Sequence, residues 1–222
     1  MAWQDEKVIK SLQDNKGYKY LGILQVDKVK GQEMKEKITK EYKRRVRKVL
    51  ETKLNGENMI KGINTWAVSL IRYSAAFLDW TKEEKQSIDR KTRKLITMHK
   101  GLHPKSNTNR LYIPRKEGGR GLLSIEDTVV LANLGLKSYV RNSCERLLVA
   151  ARQIEDCQGE SVKDFKNRKK IERKQEWKDK TLHGQFLRQT DDEAGKERWM
   201  WLKGTGSKRE TEFLILRPKN KQ

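Results

Sequence analysis

Residues 34–50 read MKEKITKEYKRRVRKVL, and this stretch decides the fold. Met34, Ile38, Tyr42, Val46, Val49 and Leu50 recur at the three- and four-residue spacing that lines one face of an α-helix. Lys35, Lys37, Lys40, Lys43, Arg44, Arg45, Arg47 and Lys48 fill the other faces. Such a helix buries one stripe and keeps its charge in water. Asn55-Gly56 marks its end. A second helix, from about Glu57 to Asp79, carries Ile60, Ile63, Trp66, Ala67, Leu70, Ile71, Phe77 and Leu78 round most of its circumference, as a helix lying between others does. Thr81-Lys82-Glu83-Glu84 is a capping box. It opens a third helix with Ile88, Leu95 and Ile96 inward, closed by Gly101. These three helices make a bundle over residues 31–102.

Beyond the bundle, residues 103–124 form a loop containing Pro104, Pro114, Gly118, Gly119 and Gly121. Ser124-Ile125-Glu126-Asp127 starts a fourth helix, with Val129, Ala132, Leu136, Tyr139, Val140, Leu147 and Leu148 on its apolar face; this unit runs to residue 157. Residues 158–222 form a basic helical extension with a disordered tail. Within it, Lys163 to Lys180 reads as a long exposed helix or partly disordered arm anchored by Phe165 and Trp177. Before the bundle, residues 1–30 predict a short β-hairpin. Val8-Ile9 leads into the turn Asp14-Asn15-Lys16-Gly17, and Tyr18 to Ile23 form the return strand. A lone hairpin is marginal, so this one needs a neighbouring sheet or helix. The fold class is mainly α.

Lys plus Arg is 51 and Asp plus Glu 30, a formal charge of +21. That excess repels itself and favours a polyanionic partner: nucleic acid, an acidic protein or an anionic membrane. The chain is 35% hydrophobic and 36% charged, so its core is moderate and does not fill the whole length. Two cysteines, Cys144 and Cys157, and three scattered histidines make no zinc site and fit a reducing compartment, nucleus or cytoplasm. Residues 60–80, the most apolar stretch, contain Lys61, Asn64, Arg72 and Asp79, which argues for a buried helix over a membrane span. No membrane partner is expected.

Several motifs bear on chemistry. Asp191-Asp192 is a carboxylate pair, and polymerases use such pairs to hold two metals about 4 Å apart. Here Gln189 stands where an aromatic residue would precede the pair, and no strand flanks it, so it reads as a solvated turn and no catalytic residue is assigned. Gly118-Gly119-Arg120-Gly121 either presents backbone N–H groups to phosphate or connects helices through glycines at positive φ. Arg44-Arg45-Val46-Arg47-Lys48 and the run Lys166 to Lys174 read either as phosphate-tracking faces or as solvated helix surface. Trp66, Tyr73, Phe77 and Trp80, at helical spacing, read as core packing ahead of base stacking. Cys144 has no histidine at a useful spacing for thiol catalysis.

Three stretches together resemble the reverse transcriptase of non-LTR (LINE-type) retrotransposons. Gly17-Tyr18-Lys19-Tyr20-Leu21-Gly22-Ile23 resembles the primer grip, where an aromatic-x-Tyr-Leu-Gly hairpin touches the primer end. Ile63-Asn64-Thr65-Trp66-Ala67 through Arg72-Tyr73-Ser74 to Asp79-Trp80-Thr81, followed by Asp89 to Lys94, is similar to the thumb. Leu111-Tyr112-Ile113-Pro114-Arg115-Lys116-Glu117-Gly118-Gly119-Arg120-Gly121-Leu122 is the third. Trp199-Met200-Trp201-Leu202 resembles the approach to a zinc knuckle.

The resemblance implies a C-terminal fragment that seats a primer–template, RNA or RNA–DNA hybrid. The metal-binding aspartates, and hence Mg²⁺, are expected only in the complete polymerase, and no cofactor is expected for this chain. Tyr18, Tyr20, Leu21 and Gly22 would seat the primer end, and Lys43, Arg44, Arg47, Lys48, Arg115, Lys116 and Arg120 would contact the nucleic acid. Two alternatives stay open: a stand-alone basic RNA- or protein-interaction module, and a non-functional pseudogene product.

Overall fold

The computed structural model describes residues 18–20, 22–25, 31–154, 159–181 and 183–189, and the chain is mainly helical. Helix α1, Gly31–Glu51, has Glu33 in its first turn and Lys48 in its last, matching the helix dipole. It buries Met34, Tyr42, Val46, Val49 and Leu50, with Ile38 half-buried beside them. The chain reverses over four residues. Asn55 does not close α1: its side chain accepts the Asn58 N–H at 2.8 Å and so caps the next helix, α2, Gly56–Gly62.

Helix α2 continues through one π-helical turn, Ile63–Ala67, into α3, Val68–Ser74. A π-turn inserts an extra residue and loosens carbonyls from the helical ladder. The Trp66 carbonyl is held instead by Arg45 Nη1 at 2.9 Å and Ser69 Oγ at 3.0 Å. The helix stops at Ser74, short of Asp79. Ser74 Oγ accepts the Trp80 indole N–H at 3.2 Å, which buries Trp80 under the turn. Thr81 and Glu84 then form the expected capping box of α4, Lys82–Met98.

Lys35 meets Glu84 at 2.9 Å and Tyr42 meets Thr92 at 3.0 Å, so α1 and α4 run side by side in the same direction. The intervening helix runs the other way, bringing Trp66 to Arg45 and Gly62 to Val49. At the end of α4 the positive φ falls on Lys100 (56°), not on Gly101. Gly101 is needed for proximity, because a Cβ there would lie 2.9 Å from Ile96 Cγ2.

Residues 103–124 are folded onto the bundle. They contain α5, Thr108–Tyr112, capped by Asn107, and a 3-10 turn, Arg115–Glu117. Leu111, Leu122, Ile125 and Val129 join the same core as Met34 and Ile63, so the core continues past residue 102. Helix α6, Ile125–Asn142, starts at the expected Ser124 cap. It ends sooner than expected at an extended Ser143, and α7, Arg146–Ile154, comes next. Leu136, Tyr139 and Leu147, expected on a buried face, are exposed.

Helix α8, Val162–Lys178, packs against α5 and α6, and α9, Gln185–Gln189, packs on α8. The charged extension is therefore docked over this span, not an exposed arm. Phe165 and Trp177 are its buried anchors, as their sparse placement predicts; Trp177 sits with Ile113 and Leu187 in a small second cluster. Burying such aromatic rings contributes roughly 1.5–3 kcal/mol each or more.

Before Gly31, strands β1, Tyr18–Tyr20, and β2, Ile23–Gln25, pair antiparallel, with Tyr20 opposite Ile23. Gly22, between them, has a φ of +86°. The turn expected at Asp14–Gly17 lies outside the described residues.

Candidate nucleic-acid interface

Helix α1 carries two basic edges, and the fold sends them to different neighbours. Lys43 and Arg47 lie one turn apart, and Lys91 of α4 meets Lys43. Partial burial, then Lys91 and Arg47, hold the Lys43 amine below its usual range. Among the described residues no carboxylate pairs with Lys43, Arg47 or Lys91. Toward the start of α1 the cations are matched: Lys37 pairs with Glu33 at 2.6 Å and Lys35 with Glu84 at 2.9 Å. Positive charge therefore collects in the C-terminal half of the α1–α4 edge.

Arg44 and Lys48 lie further round the helix, and Arg45 beyond them faces the π-turn, 5.3 Å over the Trp66 ring. Glu41 accepts from Arg44 Nε and Nη2, both at 2.6 Å, and from Arg45 Nε at 2.9 Å. These bonds, Arg44 first, pull the Glu41 carboxyl down to about 2. Arg44 is thus occupied by a carboxylate, while Lys48 is exposed. In the sequence both edges read as one face.

The glycine-rich segment is not a phosphate cradle. The N–H groups of Gly118, Gly119, Arg120 and Gly121 donate to Arg115 (3.0 Å), Pro114 (3.1 Å), Arg110 (3.0 Å) and Ile113 (2.8 Å). Gly118 and Gly121 have φ of 86° and 76°, and a Cβ on Gly119 would fall 2.0 Å from the Ile113 carbonyl oxygen. Close packing and backbone shape explain these glycines. Arg120 is corrected with them: it is 3% exposed, and its guanidinium donates to the Gly101 carbonyl, so it fastens the loop and does not reach a ligand at the surface. Arg115 is half-buried and Lys116 exposed.

Asn64 and Asp89 also hold this segment to the bundle. Asn64, in the π-turn, donates to the Gly121 carbonyl at 2.8 Å and accepts the Leu123 N–H at 3.0 Å. Asp89 of α4 accepts the Ser124 hydroxyl at 3.0 Å and the Ile125 N–H at 3.0 Å, closing the start of α6. Burial pushes the Asp89 carboxyl up, and these donors oppose the shift. Sequence reading assigns neither role. The signal for both is a polar residue at a core-facing position, Asn64 amid the most apolar stretch and Asp89 beside Ile88.

The run Lys166 to Lys174 is largely spent within the protein. Arg168 pairs with Glu160 (2.7 Å) and Glu172 (2.9 Å), and Lys169 with Glu172 (2.7 Å). Lys170 and Lys174 grip Glu117 at 3.3 and 2.9 Å, and Arg173 meets Asp127 at 2.7 Å. Burial raises the Glu117 carboxyl, but Lys174 and Lys170 outweigh it and leave it lowered. This run docks a helix and does not present a phosphate-tracking face.

Among the candidate primer-grip residues, Tyr18 and Tyr20 belong to β1 and Gly22 to the turn; the tyrosine side chains and Leu21 lie outside the described residues, as does Asp191-Asp192. Among the described residues no three His, Cys, Asp or Glu side chains gather to hold a metal, and no helix is long and apolar enough to cross a membrane. No family model, curated protein or solved structure matches the chain.

Proposed function

We propose that the chain binds primer–template nucleic acid as the thumb region of a non-LTR retrotransposon reverse transcriptase does, through α1 and the adjoining edge of α4. The observation that carries this reading is the crowding of Lys43, Arg47 and Lys91 with no carboxylate among the described residues to match them. A protein holds like charges together at some cost in stability, and a polyanion relieves it. Lys48 and Lys116 are also exposed, while Arg44 is engaged by Glu41. The sequence resemblance supplies the choice of primer–template. These are positioning roles, and no catalytic step is assigned to this chain.

Binding competition tests the reading. A recessed-end RNA–DNA hybrid is expected to bind more tightly than heparin or an unstructured single strand in fluorescence anisotropy. Equal affinity for all three would replace the thumb reading with a general polyanion-binding module. Nucleotide incorporation by the pure protein with Mg²⁺ or Mn²⁺ would overturn the assignment of a purely positioning role.

A further inference from the structure

Trp66, Tyr73, Phe77 and Trp80 read as core residues in the sequence, and only Trp80 is one. Trp66 is 39% exposed, Tyr73 49% and Phe77 47%. Tyr73 lies seven residues beyond Trp66, about two turns or 10 Å along the helix, so both lie on one side. The Phe77 ring sits 5.4 Å from that of Tyr73 at 60°. The buried residues Ile63, Ala67, Ile71 and Ser74 lie on the opposite face of this helix.

The patch is flanked by cations. Arg45 lies 5.3 Å over the Trp66 ring, Arg44 shares Glu41 with it, and Arg72 is exposed on α3. Glu41 is bound by the two α1 arginines, and Asp79 stands beyond Phe77. Flat apolar rings beside cations complement a ligand that is itself flat, apolar-faced and anionic. Unpaired nucleotides have that chemistry.

We infer that Trp66, Tyr73 and Phe77 form a stacking platform for unpaired bases of a single strand whose phosphates pass Arg44, Arg45 and Arg72. The platform rests on the nucleic-acid reading but uses the opposite edge of α1 from Lys43, Arg47 and Lys91. It would hold an unpaired stretch next to the duplex.

Anisotropy with a labelled oligothymidylate of about 16 nucleotides and with a blunt duplex tests this in the full chain. Alanine at Tyr73 or Phe77 is expected to weaken single-strand binding about 5- to 100-fold. The triple change Trp66→Leu, Tyr73→Leu and Phe77→Leu keeps an apolar surface without π-faces. It should lose the same binding while duplex affinity stays within about twofold and the salt slope is unchanged. Unchanged single-strand binding, or equal loss on both ligands, overturns the platform. So does a dimer in sedimentation that the triple variant dissolves, because the patch would then be covered by a second copy. Failure of the wild type to bind either oligonucleotide overturns the parent reading as well.

Discussion

Lys43 on α1 and Lys91 on α4 stand beside each other at the solvent edge of the bundle, and their repulsion adds to partial burial in lowering the Lys43 amine. A folded chain gains nothing from that proximity. Lys91→Gln should therefore leave stability within about 0.5 kcal/mol of wild type while reducing nucleic-acid affinity at low salt and flattening the salt slope by about one. The Lys43 Nζ resonance should titrate closer to its ordinary range in the variant. Unchanged affinity would remove Lys91 from the interface.

Glu41 sets a second expectation. Its carboxyl is held near 2 by Arg44 and then Arg45, below an ordinary value of 4.5. A depressed carboxyl stabilises the fold fully above the unfolded value, and loses that contribution as pH falls through the folded one. The melting temperature of Glu41→Gln should therefore fall below wild type at pH 5 and above, and converge with it as pH drops from about 4.5 toward 2. The group is partly exposed, so the gap is small. The same change frees Arg44 from its carboxylate and should raise single-strand affinity; thermal melts and anisotropy on one preparation read both effects.

Asp89 joins the bundle to α6. Asp89→Ala leaves the buried Ser124 hydroxyl and Ile125 N–H without their acceptor and should cost about 2–4 kcal/mol. Asp89→Asn keeps one acceptor oxygen and should cost less. Urea titration separates the two, and equal stability of all three proteins would contradict this role.

Trp177 fixes α8. Trp177→Ala should cost about 3–5 kcal/mol and release Lys170 and Lys174 from Glu117. Limited tryptic digestion is then expected to cut within residues 166–174 of the variant well before it cuts wild type. Equal cleavage rates would mean that α8 does not depend on this anchor.

The features legible in the sequence are local. The stripe from Met34 to Leu50, the box at Thr81 and Glu84, the cap at Ser124 and the anchors Phe165 and Trp177 all depend on residues within one element, where period and capping chemistry act. The features it hides depend on partners far along the chain. Arg120 reads as a surface cation because nothing in its neighbours announces the Gly101 carbonyl. The pairing of Lys170 and Lys174 with Glu117 joins residues some fifty positions apart, so a docked helix reads as a free basic arm. Trp66 and Tyr73 read as inward-facing because apolar residues cover most of the helix, and only the packing partners decide which face is buried. On α1 the four predicted contacts do not share one environment: Lys43 meets Lys91, and Arg44 is held by Glu41.

The salt dependence of binding to a recessed-end RNA–DNA hybrid tests the central claim most directly. For about five phosphate contacts, log K should fall with log salt at a slope near −4 to −5. The combined change Lys43→Ala, Arg47→Ala and Lys91→Ala should reduce that slope by about three. A flat response in the wild type, or a variant slope equal to it, would contradict an interface built on the α1–α4 edge.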